Sequence, residues 1–246
     1  MARAVDMHAE ALDSQNTTTL LRTFWTALET LFSAPAVANK NRDNVINSIL
    51  AIIQKTYILK LLRELFSQLN SAIGLTSMNA LGINNFESFV EFFSLHEESS
   101  CEMKKVYTLL SNNPLLRSRL FNMREQFKTG ESIQLLINSH KTKITWQLKR
   151  LYRIRNVATH LGEQASGLEV AVNHLHNYFD FAINYMLCKS ENENYIVSMS
   201  SLIHETKNDN EIQNEMLKSN ENLSAENYME YLFGPDTNLI KYNFEY

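Results

Sequence analysis

Apolar residues in this chain recur at three- and four-residue steps over stretches much longer than a strand. Between residues 17 and 33 the series is Leu20, Leu21, Phe24, Trp25, Leu28, Leu31 and Phe32, one stripe along one side of a helix. Residues 43–69 repeat the pattern with Val45, Ile46, Ile49, Leu50, Ile53, Tyr57, Leu61, Leu62, Leu65 and Leu69. The dipeptide Asn113-Pro114 is a start signal, with Asn as cap and Pro in the first turn, where a missing N–H costs nothing. It opens a helix over 114–129 that Gly130 is expected to end. Further helices are expected over 132–161, with Gly162 at the C-terminal cap, and over 168–188. Asn84 or Asn85 caps a short Phe-rich helix holding Phe86, Phe89, Phe92 and Phe93. The chain has 246 residues, of which only six are Gly and three are Pro. So few turn-formers disfavour hairpin-built folds. The fold class expected is all-α, a helical bundle.

Charge divides the chain unevenly. Residues 185–246 carry 11 acidic residues against four lysines, whereas residues 1–184 are net positive. This predicts one helical domain over 1–189 and an acidic C-terminal helical extension over 190–246, packed on or beside it. Cys101 and Cys188 are far apart and unpatterned, as expected of buried thiols in a reducing compartment. No run of 18 apolar residues and no signal-peptide core are present, so the expected location is the cytoplasm, with no membrane partner.

Inside this acidic protein, residues 132–162 hold no Asp or Glu but contain Lys141, Lys143, Lys149, Arg150, Arg153 and Arg155. Lys149, Arg153, Asn156 and His160 follow steps of four, three and four, which places them on one helical stripe, flanked by Arg155. Leu148, Leu151, Tyr152 and Ala158 face the other way, toward a core. These residue types suit cleavage of an RNA phosphodiester without a metal. A ribose 2′-hydroxyl must lose a proton as it attacks the adjacent phosphate, and histidine titrates near neutral pH. Negative charge gathers on the non-bridging oxygens, where arginine can hold two at once. Asn can position an oxygen or fix the His ring without adding charge. On spacing alone, Arg153 and Arg155 are equal candidates.

The stretch LYRIRNVATHLGE (151–163) resembles the RxxxxH region of the HEPN superfamily, in particular its Apea-like group. In that motif an Arg is followed by a polar residue, often Asn, with a His a few positions later. Arg155, Asn156 and His160 match it, and the resemblance therefore selects Arg155. The segments NPLLRSRLFNMREQF (113–127) and FWTALETLF (24–32) look like the family's flanking helices, so the likeness covers roughly residues 12–190. It implies a HEPN-like bundle and a metal-independent endoribonuclease acting in anti-phage or toxin–antitoxin defence. On this reading Arg155, Asn156 and His160 are catalytic, and Lys149, Arg150 and Arg153 bind RNA. No cofactor and no metal are expected.

Two groups poised on opposite sides of a phosphate cleave more easily than one. One RNVATH segment per chain therefore points to a homodimer or larger homo-oligomer with the motifs at its seam, the pairing that HEPN relatives use. Trp146, Tyr152 or Tyr178 could line that seam. The alternative is a catalytically silent HEPN module that binds nucleotide, RNA or a regulatory partner protein as sensor or scaffold. Other chemistries find little support. His174 and His176 are two apart and point to different faces, so they do not chelate together, and His8, His140 and His204 have no evident partners. No phosphate-binding glycine loop and no nucleophile elbow occur. Phe24, Trp25, Phe32 and the Phe86–Phe93 cluster sit at core spacing. The cationic stripe could also simply pair with the acidic tail.

Overall fold

The computed structural model describes residues 2–32, 41–97, 99–161, 167–193, 198–219 and 224–241; the side chains of Asn41, His160, Leu161, Asn192 and Glu193 lie outside that description. Among the described residues there are only helices: α1 (Ala2–Leu12), α2 (Thr17–Leu31), α3 (Asn41–Ile73), α4 (Leu75–Ala80), α5 (Phe86–Leu95), α6 (Cys101–Leu109), α7 (Pro114–Gln126), α8 (Gly130–Leu161), α9 (Leu168–Glu193), α10 (Met199–Lys218), α11 (Tyr228–Phe233) and a 3₁₀ turn (Thr237–Lys241). The fold is all-α, as the periodicity predicts.

The chain forms two compact units, each drawing on separate stretches of the sequence. The first draws on the chain up to Gln54 and on His140–Asn208; the second is Lys55–Ser139 with Asp209–Lys241. The acidic extension thus contributes to both units. Its composition reads as solvated, yet Leu202, Thr206, Gln213, Leu217, Leu232, Phe233 and Leu239 are buried.

In the first unit α1 packs on α2, and α2 on α9. Leu21, Phe24, Trp25 and Leu28 are buried with Leu148, Leu151, Leu175, Phe179 and Tyr185. Buried Lys189 donates to Glu205 at 2.9 Å. In the second unit the Phe-rich helix is core, with Phe89, Phe92 and Phe93 buried and Phe127 edge-on to Phe93. Its cap is Asn85, in a reciprocal capping box with Ser88. Asn113 caps α7 through the Leu116 amide, with Pro114 in the first turn.

Two expectations are corrected. Gly130 does not end the preceding helix: α7 stops at Gln126, and Gly130 is the first residue of α8. A β-carbon there would run into the Leu217 carbonyl and the Tyr231 hydroxyl, so glycine serves close approach rather than termination. Cys101 is exposed and Cys188 half-buried, so neither is a buried core thiol. The apolar stripe of α3 widens in mid-helix, where Ile52, Ile58 and Leu59 are buried along with Gln54, Lys55 and Thr56. Arg42–Ile73 is long and apolar enough to cross a membrane by length and composition, yet most of that apolar window is buried inside the protein, as in a core helix. Gly162 lies outside the described residues.

Candidate functional site

The C-terminal half of α8 separates its faces as the residue spacing requires. Leu148, Leu151 and Ala158 are buried, while Lys149, Arg150 and Arg153 are exposed. Tyr152 is half-buried, its ring 5.1 Å from that of Trp25, and the Arg42 guanidinium stands over it at 5.5 Å. Tyr178 of α9 donates a hydrogen bond to Gln147 at 2.9 Å. Burial pushes the Tyr178 hydroxyl up to about 12 from an ordinary 10. These contacts seat the C-terminal half of α8 on the first unit and fix which side of it faces outward.

Arg155 and Asn156 come together. Arg155 Nη1 donates to Asn156 Oδ1 at 3.1 Å, and Thr159 Oγ1 donates to the Arg155 carbonyl at 2.7 Å. Arg155 is half-buried, and its Nε is shielded from solvent with no hydrogen-bond partner among the described residues. A buried donor on a permanent cation is costly to leave unmade, and it is a natural place for an anionic oxygen. The helix continues through residue 160 to Leu161, which sets His160 one turn beyond Asn156; its side chain lies outside the described residues.

Among the described residues, no carboxylate pairs with Lys149, Arg150 or Arg153. Three acids of the extension have cationic partners of their own: Glu205 with Lys189 at 2.9 Å, Asp209 with Lys55 at 2.9 Å, and Glu215 with Lys218 at 2.8 Å. Trp146, one turn before Arg150, is 75% exposed.

A second constellation was not foreseen. His8, expected to have no partner, lies against His176 with Nε2 2.8 Å from Nδ1, and its ring stacks on Phe179 at 4.2 Å. His176 and Asp180 are one turn apart on α9, and Asp180 oxygens stand 3.5 Å from His8 Nε2 and 3.4 Å from His176 Nε2. Burial lowers the His8 pKa; Asp180 opposes that and His176 adds to it. The i, i+4 spacing of His176 to Asp180 was the legible half of this cluster.

The chain matches no family model, no curated protein and no solved structure.

Proposed function

We propose that this protein is a metal-independent endoribonuclease of HEPN type, with the motif helix α8 as its active element. The observation that carries the reading is the Arg155–Asn156 pair, whose buried Nε has no partner among the described residues, on the same helix as three exposed cations with which no described acid pairs. Lys149, Arg150 and Arg153 hold the RNA backbone through phosphate contacts, which position a strand without reading its sequence. Arg155 stabilises the charge that develops on the non-bridging oxygens, and Asn156 orients the Arg155 guanidinium. His160 moves the proton. The 2′-oxygen forms a bond to phosphorus as its proton passes to a base, and the bond to the 5′-oxygen breaks as that oxygen takes up a proton. The products are a 2′,3′-cyclic phosphate and a 5′-hydroxyl.

The active species is a homodimer whose two α8 motifs face one cleft, so that one His160 acts as base and the other as acid. Tyr152 and Tyr178 are engaged within the protomer, and Trp146 is the aromatic left open for the seam. An effector in anti-phage or toxin–antitoxin defence, in the cytoplasm, is the setting the resemblance implies.

The test is cleavage of labelled RNA in EDTA, with the melting temperature followed in the same buffer. Wild type should cleave and leave a cyclic phosphate, and His160→Ala should cost at least about 10²-fold in rate, the usual weight of a general acid–base group. Folded protein that cleaves only with a divalent ion, or His160→Ala that cleaves at the wild-type rate, refutes the reading. RNA binding without cleavage assigns a silent module instead.

A further inference from the structure

We propose that His8, His176 and Asp180 form a binding site for a divalent transition-metal ion of the zinc class, joining α1 to α9. Nothing in the ribonuclease reading uses these residues, and the site stands or falls without it.

Two imidazoles and one carboxylate are the donor set of three-ligand zinc sites, which keep a fourth position for water or another group. Here one donor atom from each of the three residues falls within 4.8 Å of the others. The spacing from His8 to Asp180 is informative. At 3.5 Å from His8 Nε2, the Asp180 Oδ1 is too far for a good hydrogen bond. Two ligands each about 2.0–2.1 Å from one tetrahedral ion stand about 3.4 Å apart. The carboxylate is thus held at the separation of a co-ligand.

The fold holds the donors in place. His176 and Asp180 share one face of α9, one turn apart, as metal-chelating pairs on helices do. His8 comes from α1, 168 residues away in sequence, and is clamped between rings, 5.0 Å from Phe24 and 4.2 Å from Phe179. A buried ring fixed in this way loses little freedom on binding an ion. Coordination exchanges the 2.8 Å His8–His176 hydrogen bond for two metal–nitrogen bonds. The ring proton of the donor moves to its other nitrogen, and the pair opens by about 0.5 Å to reach ligand spacing. Asp180 is partly exposed, which leaves a route for the ion and room for a water in the fourth position.

The experiment strips the full-length protein with chelator, then titrates it with Co²⁺ while following the visible absorption of the ion, and displaces the cobalt with Zn²⁺. One equivalent should bind with the spectrum of a four-coordinate site, and Zn²⁺ should quench it. His176→Asn and Asp180→Asn should each weaken binding at least about 10-fold, a loss that even outer-shell changes cause at metal sites. Both positions are part-exposed, so these variants are expected to keep the wild-type circular dichroism; His8→Asn serves as a third variant if it folds. Zn²⁺ should raise the melting temperature of wild type and not of Asp180→Asn. Absence of saturable binding at one equivalent, or binding equally tight in folded His176→Asn and Asp180→Asn, overturns the proposal and leaves a hydrogen-bonded His–His–Asp cluster.

Discussion

Lys55 shows how much a single buried residue can decide. Its ammonium has no solvent exposure, and it donates to Asp209 at 2.9 Å and to the Phe233 carbonyl at 2.9 Å. Removing one partner of a buried ion pair strands the other charge and costs about 3–5 kcal/mol, whereas an apolar replacement of both is often neutral. Asp209→Asn should therefore lower the unfolding free energy by about that amount in urea titrations, and Lys55→Met with Asp209→Leu should lose less. Gly130→Ala should also destabilise, by about 1–3 kcal/mol, because overpacking against the Leu217 carbonyl outweighs the better helix propensity of Ala. Tyr178 titrates at about 12 folded and 10 unfolded. Below the lower value both states keep the proton; between the two, the unfolded chain loses it first, so stability falls as pH rises through that window. Tyr178→Phe should make this alkaline loss shallower and should remove one tyrosinate from the absorbance phase near pH 12.

At the scale of the element, α8 carries packing on one face and charge on the other. Leu148 and Leu151 are buried, so Leu→Ala at either should cost about 2–5 kcal/mol by cavity formation. Lys149, Arg150 and Arg153 are exposed and unpaired among the described residues, so truncating any of them should leave stability within about 0.5 kcal/mol of wild type. If they grip RNA, each truncation should instead reduce the dependence of log binding constant on log salt by about 0.7, the weight of one single-strand phosphate contact. Fluorescence anisotropy across a salt series separates the two effects. Unchanged slopes in all three variants would remove this face from RNA binding. α10 reverses the balance of α8: residues 202, 203, 206, 209, 210, 213 and 217 are buried at helical steps, but four of them are polar. Gln213 takes a core position by donating to the Leu232 and Tyr231 carbonyls. Hydrogen bonding there does the work that apolar burial does in α2.

For the whole molecule, the proposed cleavage needs two proton-transfer groups, while each chain supplies one RNVATH segment. A closed two-fold pair is the simplest source of the second, and Trp146 offers an exposed aromatic anchor for it. Light scattering should give a dimer at micromolar concentration, and Trp146→Glu should shift it toward monomer with loss of cleavage. Hybrids of wild-type and His160→Ala chains should cleave as poorly as His160→Ala itself, since each seam then keeps one of the two histidines that the step needs. A fully active monomer would refute the shared site.

Local physics made much of the fold legible. Caps at Asn85 and Asn113, the Pro114 start, the long helices and the in-out division of α8 all follow from neighbours within one turn, and so did the adjacency of Arg155 and Asn156. Helices α1, α6 and α10 escaped because their apolar repeats are short or interrupted by buried polar residues. The role of Gly130 escaped because its crowding comes from Leu217 and Tyr231, far along the chain. Lys55 reads as a solvated cation until Asp209 and the Phe233 carbonyl reach it. His8 and His176 are unremarkable separately, and only packing of α1 and α9 about α2 sets them 2.8 Å apart. By itself the sequence determined helix periods and helix ends, because hydrogen bonding within a helix is a contract between residues three or four apart. Which polar groups would be buried, and beside what, belonged to the tertiary structure, because the free energy of a buried charge is set by partners that only folding brings near.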